Sequence, residues 1–138
     1  MTDTPHFNPH GENRIWAEDR ILVVHSRGPW NRELVLQGQQ TVLEAIEKFG
    51  GRKWLALGII HGDGLHTPDA FQEMIESLKA QRQRGRSGTA LVLADVGHSG
   101  FFCNLFARMY ATAGEPMQLF PDEATARAWL DERCKELP

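Results

Sequence analysis

Cysteine is scarce in this chain: Cys103 and Cys134 are the two among 138 residues. They lie far apart, both inside helical patterns, with neither a CxxC pair nor metal-ligand spacing. That excludes a disulfide framework and a zinc ribbon, and it predicts reduced thiols, as in a cytoplasmic protein. Long apolar runs are missing too, since none approaches the roughly 18 residues of a membrane span. The opening "MTDTPHFNPHGEN" is polar and holds no apolar segment of the signal-peptide kind. Charge of one sign is also lacking. A formal net charge of −3 does not suggest a nucleic-acid binder and favours no acidic partner. No repeat, low-complexity tract or linker interrupts residues 13–138.

What is present is the material of one globular domain. With 41% hydrophobic and 24% charged residues, 138 positions suffice to bury a core without staples. Residues 1–12 read as a mobile tail carrying His6 and His10. "RIWA" and "ILVVHS", separated by "EDR", predict a hairpin. "GPWN" is expected to break the chain, with Asn31 capping a first helix whose buried face is Val35, Val42, Ile46 and Phe49. Gly50-Gly51 ends it. "KWLALGII" is apolar throughout, as a strand covered on both faces should be. Thr67 and Pro68 open a second helix, striped by Phe71, Met74, Ile75 and Leu78. Lys79, Arg82 and Arg84 form a solvated basic end.

"TALVLAD" predicts the next strand. A third helix is striped by Phe102, Leu105, Phe106 and Met109, with Ser99 expected as its cap and Gly114 as its stop. "PMQLF" is the last strand, and Asp122 caps a last helix that turns Ala126, Leu130 and Leu137 inward. The expected fold class is therefore α/β: a two-layer sandwich of a mixed five-strand sheet, a leading antiparallel hairpin followed by parallel strands, with four helices.

Ligands of such sheets usually bind at the carboxyl ends of the parallel strands. Here those ends read His25-Ser26-Arg27, His61-Gly62-Asp63 and Asp95-Val96-Gly97-His98-Ser99. Three chemistries use such residues. Serine hydrolysis is suggested by "GHSG", but a nucleophile elbow needs Gly at position 101, where Phe101 stands, and no histidine follows His98. A metal could draw on His61, Asp63 and His66, with His25 or His98, but the spacing matches no strong ligand motif, so no metal is assigned. Phosphate could sit at the helix start after "HGDGLHT", but the nucleotide P-loop signature is absent. A phosphorylated Thr67 or Ser99 would be stabilised there. "HGDGLHT" itself reads first as a crossover turn ending in a helix cap.

The segment "ARMYATAGEPMQLFPDEATARAWL", with Phe120, Asp122, Ala126, Trp129 and Leu130 in an F-x-D-x-x-x-A-x-x-W-L pattern, resembles the ending of the SpoIIAA-like (STAS/SEC14-like) bacterial domains. The element order over residues 13–137 is similar to the same family. The resemblance implies a STAS-like domain spanning residues 13–138, a regulatory or binding role without catalysis, and no cofactor. It places the antagonists' phosphorylated serine near Asp63-Gly64-Leu65-His66-Thr67, where Thr67 supplies the hydroxyl and the family's Asp-Ser-Ser-Gly-like signature is missing. Its SEC14 side implies a small apolar ligand near Trp30, Phe101 and Phe102.

The expectation is thus a cytoplasmic binding module for a protein partner or a small ligand. Its candidate site is His25, Arg27, Trp30, His61, Asp63, His66, His98, Ser99 and Phe101, with Thr67 as a candidate phosphosite. The competing class is a small hydrolase or metal-dependent enzyme using the same His, Asp and Ser residues. A homodimer joined through a sheet edge or a helix face is a third.

Overall fold

The computed structural model describes residues 11–138, so the expected tail, with His6 and His10, lies outside the described residues up to position 10. Glu12 already belongs to the first strand. The described order is β1 (Glu12–Glu18), β2 (Ile21–Trp30), α1 (Arg32–Ala45), β3 (Trp54–His66), α2 (Pro68–Arg82), β4 (Arg86–Leu93), α3 (Ser99–Ala113), β5 (Met117–Phe120) and α4 (Glu123–Cys134). A short 3-10 turn, Ile46–Phe49, extends α1.

Local chemistry sets most boundaries. β1 and β2 form an antiparallel hairpin with Glu18 opposite Ile21, and Asp19 makes the turn at φ 52°. Aspartate tolerates that left-handed conformation better than most residues. Asn31 caps α1 by accepting from the Leu34 amide (2.9 Å). Thr67 caps α2, accepting from the Ala70 amide (3.3 Å), and Asp122 caps α4, accepting from the Thr125 amide (2.8 Å). Each cap satisfies an amide that the first helical turn leaves free.

The five strands lie in chain order, β1-β2-β3-β4-β5. β1 is antiparallel to β2, and the other pairs are parallel. Because every parallel connection steps to the next neighbour in the same sense, α1, α2 and α3 gather on one face. α4 follows the last strand and folds back over the other face, where Ala126 and Leu130 pack on Leu57, Ile59, Ala90 and Val92. The main layer pair is the sheet under α1–α3. Its core joins Ile60 and Leu91 to Ile75, Leu78, Phe106 and Met109, while Leu22 and Ala56 pack with Val42, Ile46 and Phe49.

Two strands run further than the sequence suggests. "GPWN" does not break the chain, because β2 continues through Gly28 and Pro29 to Trp30. "HGDGLH" is not a crossover turn. β3 continues through it to His66, with Arg27 beside His61, Gly28 beside Gly62 and Trp30 beside His66. The register shifts between Gly28 and Trp30, and Gly62, at φ 71°, absorbs the irregularity. A glycine inside a strand marks such a bulge as readily as a turn. The cap of α3 is also different: His98, at φ 53°, occupies the N-cap position without a side-chain bond, and Ser99 is already helical.

Candidate functional site

Side chains alternate across a strand, and that alternation divides the expected site. His25, Arg27 and His61 fall on the α4 face of the sheet, and Trp30 and His66 on the α1–α3 face.

On the α4 face the residues do converge. His25 Nδ1 lies 3.0 Å from His61 Nε2, and the rings are nearly coplanar, 16° apart. His61 Nδ1 lies 3.4 Å from Asp95 Oδ1. That oxygen also accepts from the Gly62 amide (3.0 Å), and Asp95 Oδ2 meets Arg27 Nη2 at 3.5 Å. Trp16 flanks His25 with its indole 13° from parallel. With Asp95 holding the His61 Nδ1 proton, His61 Nε2 is the acceptor and His25 Nδ1 the donor, which leaves a lone pair on His25 Nε2. Burial holds both rings below the ordinary imidazole pKa; the neighbouring His61 adds to the effect at His25, and Asp95 opposes it at His61. Both are therefore neutral near pH 7. The chain resembles a proton relay in its connectivity. His25 and His61 are nonetheless only 7% and 8% exposed, so a reactant reaches them only by displacing neighbours. Among the described residues no group of three or more His, Cys, Asp or Glu side chains is arranged to hold a metal.

The remaining candidates stand apart. Asp63 is exposed and closes a local turn by accepting from the Leu65 amide (2.9 Å). His98 and Ser99 are exposed at the start of α3. Phe101 is 61% exposed, edge-on to Phe102. The Thr67 hydroxyl is engaged twice: it caps Ala70 and donates to Asp69 Oδ1 (2.6 Å). A phosphate on Thr67 would meet the Asp69 carboxylate at close range, a repulsive contact.

On the α1–α3 face lies a cavity of about 90 Å³. Its wall sets the small residues Ala56 and Gly58 on β3 and Gly38 on α1 beside Ile60, Val35, Met74, Phe106 and Met109. Most of its polar lining is already paired. Trp30 Nε1 donates to Ser26 Oγ (2.7 Å), and Ser26 donates in turn to Asn13. Gln81 Nε2 donates to Gln39 Oε1 (2.6 Å), while its oxygen accepts from Arg86. Arg86 also donates to Glu115 Oε2 (2.8 Å) and Thr89 Oγ1 (2.7 Å).

Two lining groups are different. The Ser77 hydroxyl and His66 Nδ1 are buried without a hydrogen-bond partner. His66 stacks on Trp30, with centroids 4.4 Å apart, and meets Phe71 and Phe106 edge-on. That aromatic enclosure pushes its pKa down to about 4 through burial, so the ring is neutral.

Of the expected residues, the structure thus brings His25, Arg27 and His61 together on one face and Trp30 and His66 on the other. Sequence reasoning missed Ser77, Gln81 and the Arg86–Glu115 pair. The first two had a signal: Ala70, Met74, Ser77 and Gln81 share helical spacing with the apolar stripe of α2, so they are polar residues on a core-facing line. Glu115 had none, since it stands in a loop just after Gly114. Compared with known proteins, the chain matches no family model, no curated protein and no solved structure.

Proposed function

We propose that this chain is a binding module of STAS-like type, without catalysis of its own, that holds a small, mainly apolar molecule between its sheet and α1–α3. The supporting observation is the cavity of about 90 Å³ beneath Trp30 and His66, walled mostly by apolar side chains. Such concave, apolar space with a few convergent polar groups is the usual form of a small-molecule site. Titrating toluene into protein with labelled methyl groups tests it. Resonances of Ala56, Ile60 and Met109 are expected to shift, while those of Ala126 and Leu130, across the sheet, stay in place. No shift at the first three overturns the reading.

Partner binding has its own support. Leu65 (52% exposed) and Phe101 (61% exposed) are large apolar side chains on neighbouring segments at the carboxyl edge. Gly64 packs closely on α3: a Cβ there would stand 2.7 Å from the Phe102 ring. A partner recognised this way is lost on replacing Leu65 and Phe101 with serine, with the toluene response unchanged. The competing enzyme reading draws on the Asp95–His61–His25 chain, and it requires a turnover that disappears in His25→Ala.

A further inference from the structure

On the face of the sheet opposite the cavity, the Asp95–His61–His25 chain joins β2, β3 and the stretch between β4 and α3. Its central contact is in line. The two imidazoles are 16° from coplanar, with centroids 5.2 Å apart, and His25 Nδ1 faces His61 Nε2 at 3.0 Å. Such a contact needs a donor on one ring and an acceptor on the other.

A first added proton leaves that contact intact. It enters at the His25 Nε2 lone pair, and the shared proton passes to His61 Nε2. The positive charge then settles on the ring beside Asp95 (3.4 Å). His61 Nε2 now donates and His25 Nδ1 accepts. A second proton has only the accepting lone pair of His25 Nδ1 to occupy. Two N–H groups of two cations would then face each other at 3.0 Å, in rings that are 7% and 8% exposed.

The charges around the pair are largely matched among themselves. On β1, Arg14 stands opposite His25 and pairs with Glu12 (2.8 Å). On α4, Glu123 favours a charged His25 and Arg127 opposes it, and Arg127 is itself paired with Glu18 and Glu123. On β2, Arg27 meets Asp95 (3.5 Å) and opposes a charged His61. Asp95 answers a charge on His61, but among the described residues no carboxylate is bonded to His25. The way out lies past Trp16, whose indole flanks His25 at 5.6 Å between centroids and is 36% exposed. Trp16 belongs to β1, which has a single strand neighbour, and an edge strand is the part of a sheet that opens most readily.

We propose that the Asp95–His61–His25 chain is an acid-sensitive latch on the β1 edge of the sheet: it takes up one proton with its central hydrogen bond kept, and a second proton breaks that bond and frees β1. Acid acts in the opening direction because released rings bind protons more readily than the enclosed ones, which burial holds below the ordinary imidazole value.

Nitrogen NMR of the whole chain, labelled at histidine, tests this as the pH is lowered from neutral, together with hydrogen exchange. Two steps are expected, about two pH units or more apart. The first charges His61, keeps the coupling across the His25–His61 hydrogen bond and leaves the Trp16 indole signal in place. The second charges His25, abolishes that coupling, moves the Trp16 signal and opens the paired amides of β1, while those of β4 stay protected. Asp95→Asn should weaken the first uptake about tenfold. His61→Gln should free β1 in a single step. If His61→Gln fails to fold, Asp95→Asn decides, since position 95 is exposed. Uptake by both rings in one step, release of β1 with the first proton, or a second uptake that leaves Trp16 and β1 unchanged overturns the latch. So does loss of protection in β4 with β1, which is unfolding of the whole sheet, and so does a first uptake that Asp95→Asn leaves unchanged.

Discussion

Glu115 is buried with both carboxylate oxygens engaged: Arg82 Nη1 reaches Oε1 (2.6 Å), and Arg86 and Thr89 reach Oε2 (2.8 and 2.7 Å). Removing it leaves Arg86, 5% exposed, without its counter-charge. Glu115→Ala is expected to cost about 3–5 kcal/mol, seen as a lower midpoint in urea unfolding. His66 makes a second prediction at this scale. Its folded pKa of about 4 lies below the ordinary value of 6.5. Between those values the unfolded chain binds more protons than the folded one. Stability is therefore complete above 6.5, falls as pH drops through that window, and levels out near the folded value. The share of His66 is at most on the order of 3 kcal/mol. His25 and His61, both also lowered, act in the same direction. Urea unfolding from about pH 7 to pH 4 should show the fall, and His66→Phe should flatten it. An unchanged slope in that variant refutes the assignment.

The paired tips of β2 and β3 carry the next prediction. At Gly28 a Cβ would stand 1.8 Å from the Asp63 carbonyl oxygen, a backbone atom that cannot step aside as a side chain could. Gly28→Ala is expected to destabilise by about 1–3 kcal/mol and to deprotect the amides of 61–66 in hydrogen exchange. Protection equal to wild type there would show that the tips are not held by this approach. These tips also mark where the sequence stops being legible. Element order, parallel pairing and three side-chain caps follow from periodicity and from Asn31, Thr67 and Asp122. The overshoot of β3 does not, because glycine in "HGDGLH" serves a bulge as well as it serves a turn. The meeting of His25 and His61 was half legible. Their common face follows from alternation, but their contact depends on a register that places His25 beside Ile59 and Arg27 beside His61. Arg86 and Glu115 meet only because β4 and the end of α3 come together in space, which no local pattern encodes.

At the scale of the whole molecule, five ordered strands with three helices on one face build a layer thick enough to leave space inside it. No helix among the described residues is long and apolar enough to cross a membrane. Ala56 lines the cavity and is 1% exposed. Ala56→Val adds methyl groups to that space. It is expected to raise stability by up to about 1 kcal/mol and to abolish the rise in Tm that toluene gives the parent chain. A ligand at a hundred times its Kd contributes about 2.7 kcal/mol, so the loss is easily read by calorimetry. A retained rise would place the ligand elsewhere. The face-to-face contact of Trp30 with His66 (4.4 Å) has an optical consequence. Trp30 lines the same space, and an imidazolium quenches an indole stacked on it whereas a neutral imidazole does so far less. The emission of this indole should dim as acid reaches His66 and change colour as the space beside it fills. The protein thus carries its own fluorescent gauge of both events, and it needs no attached dye.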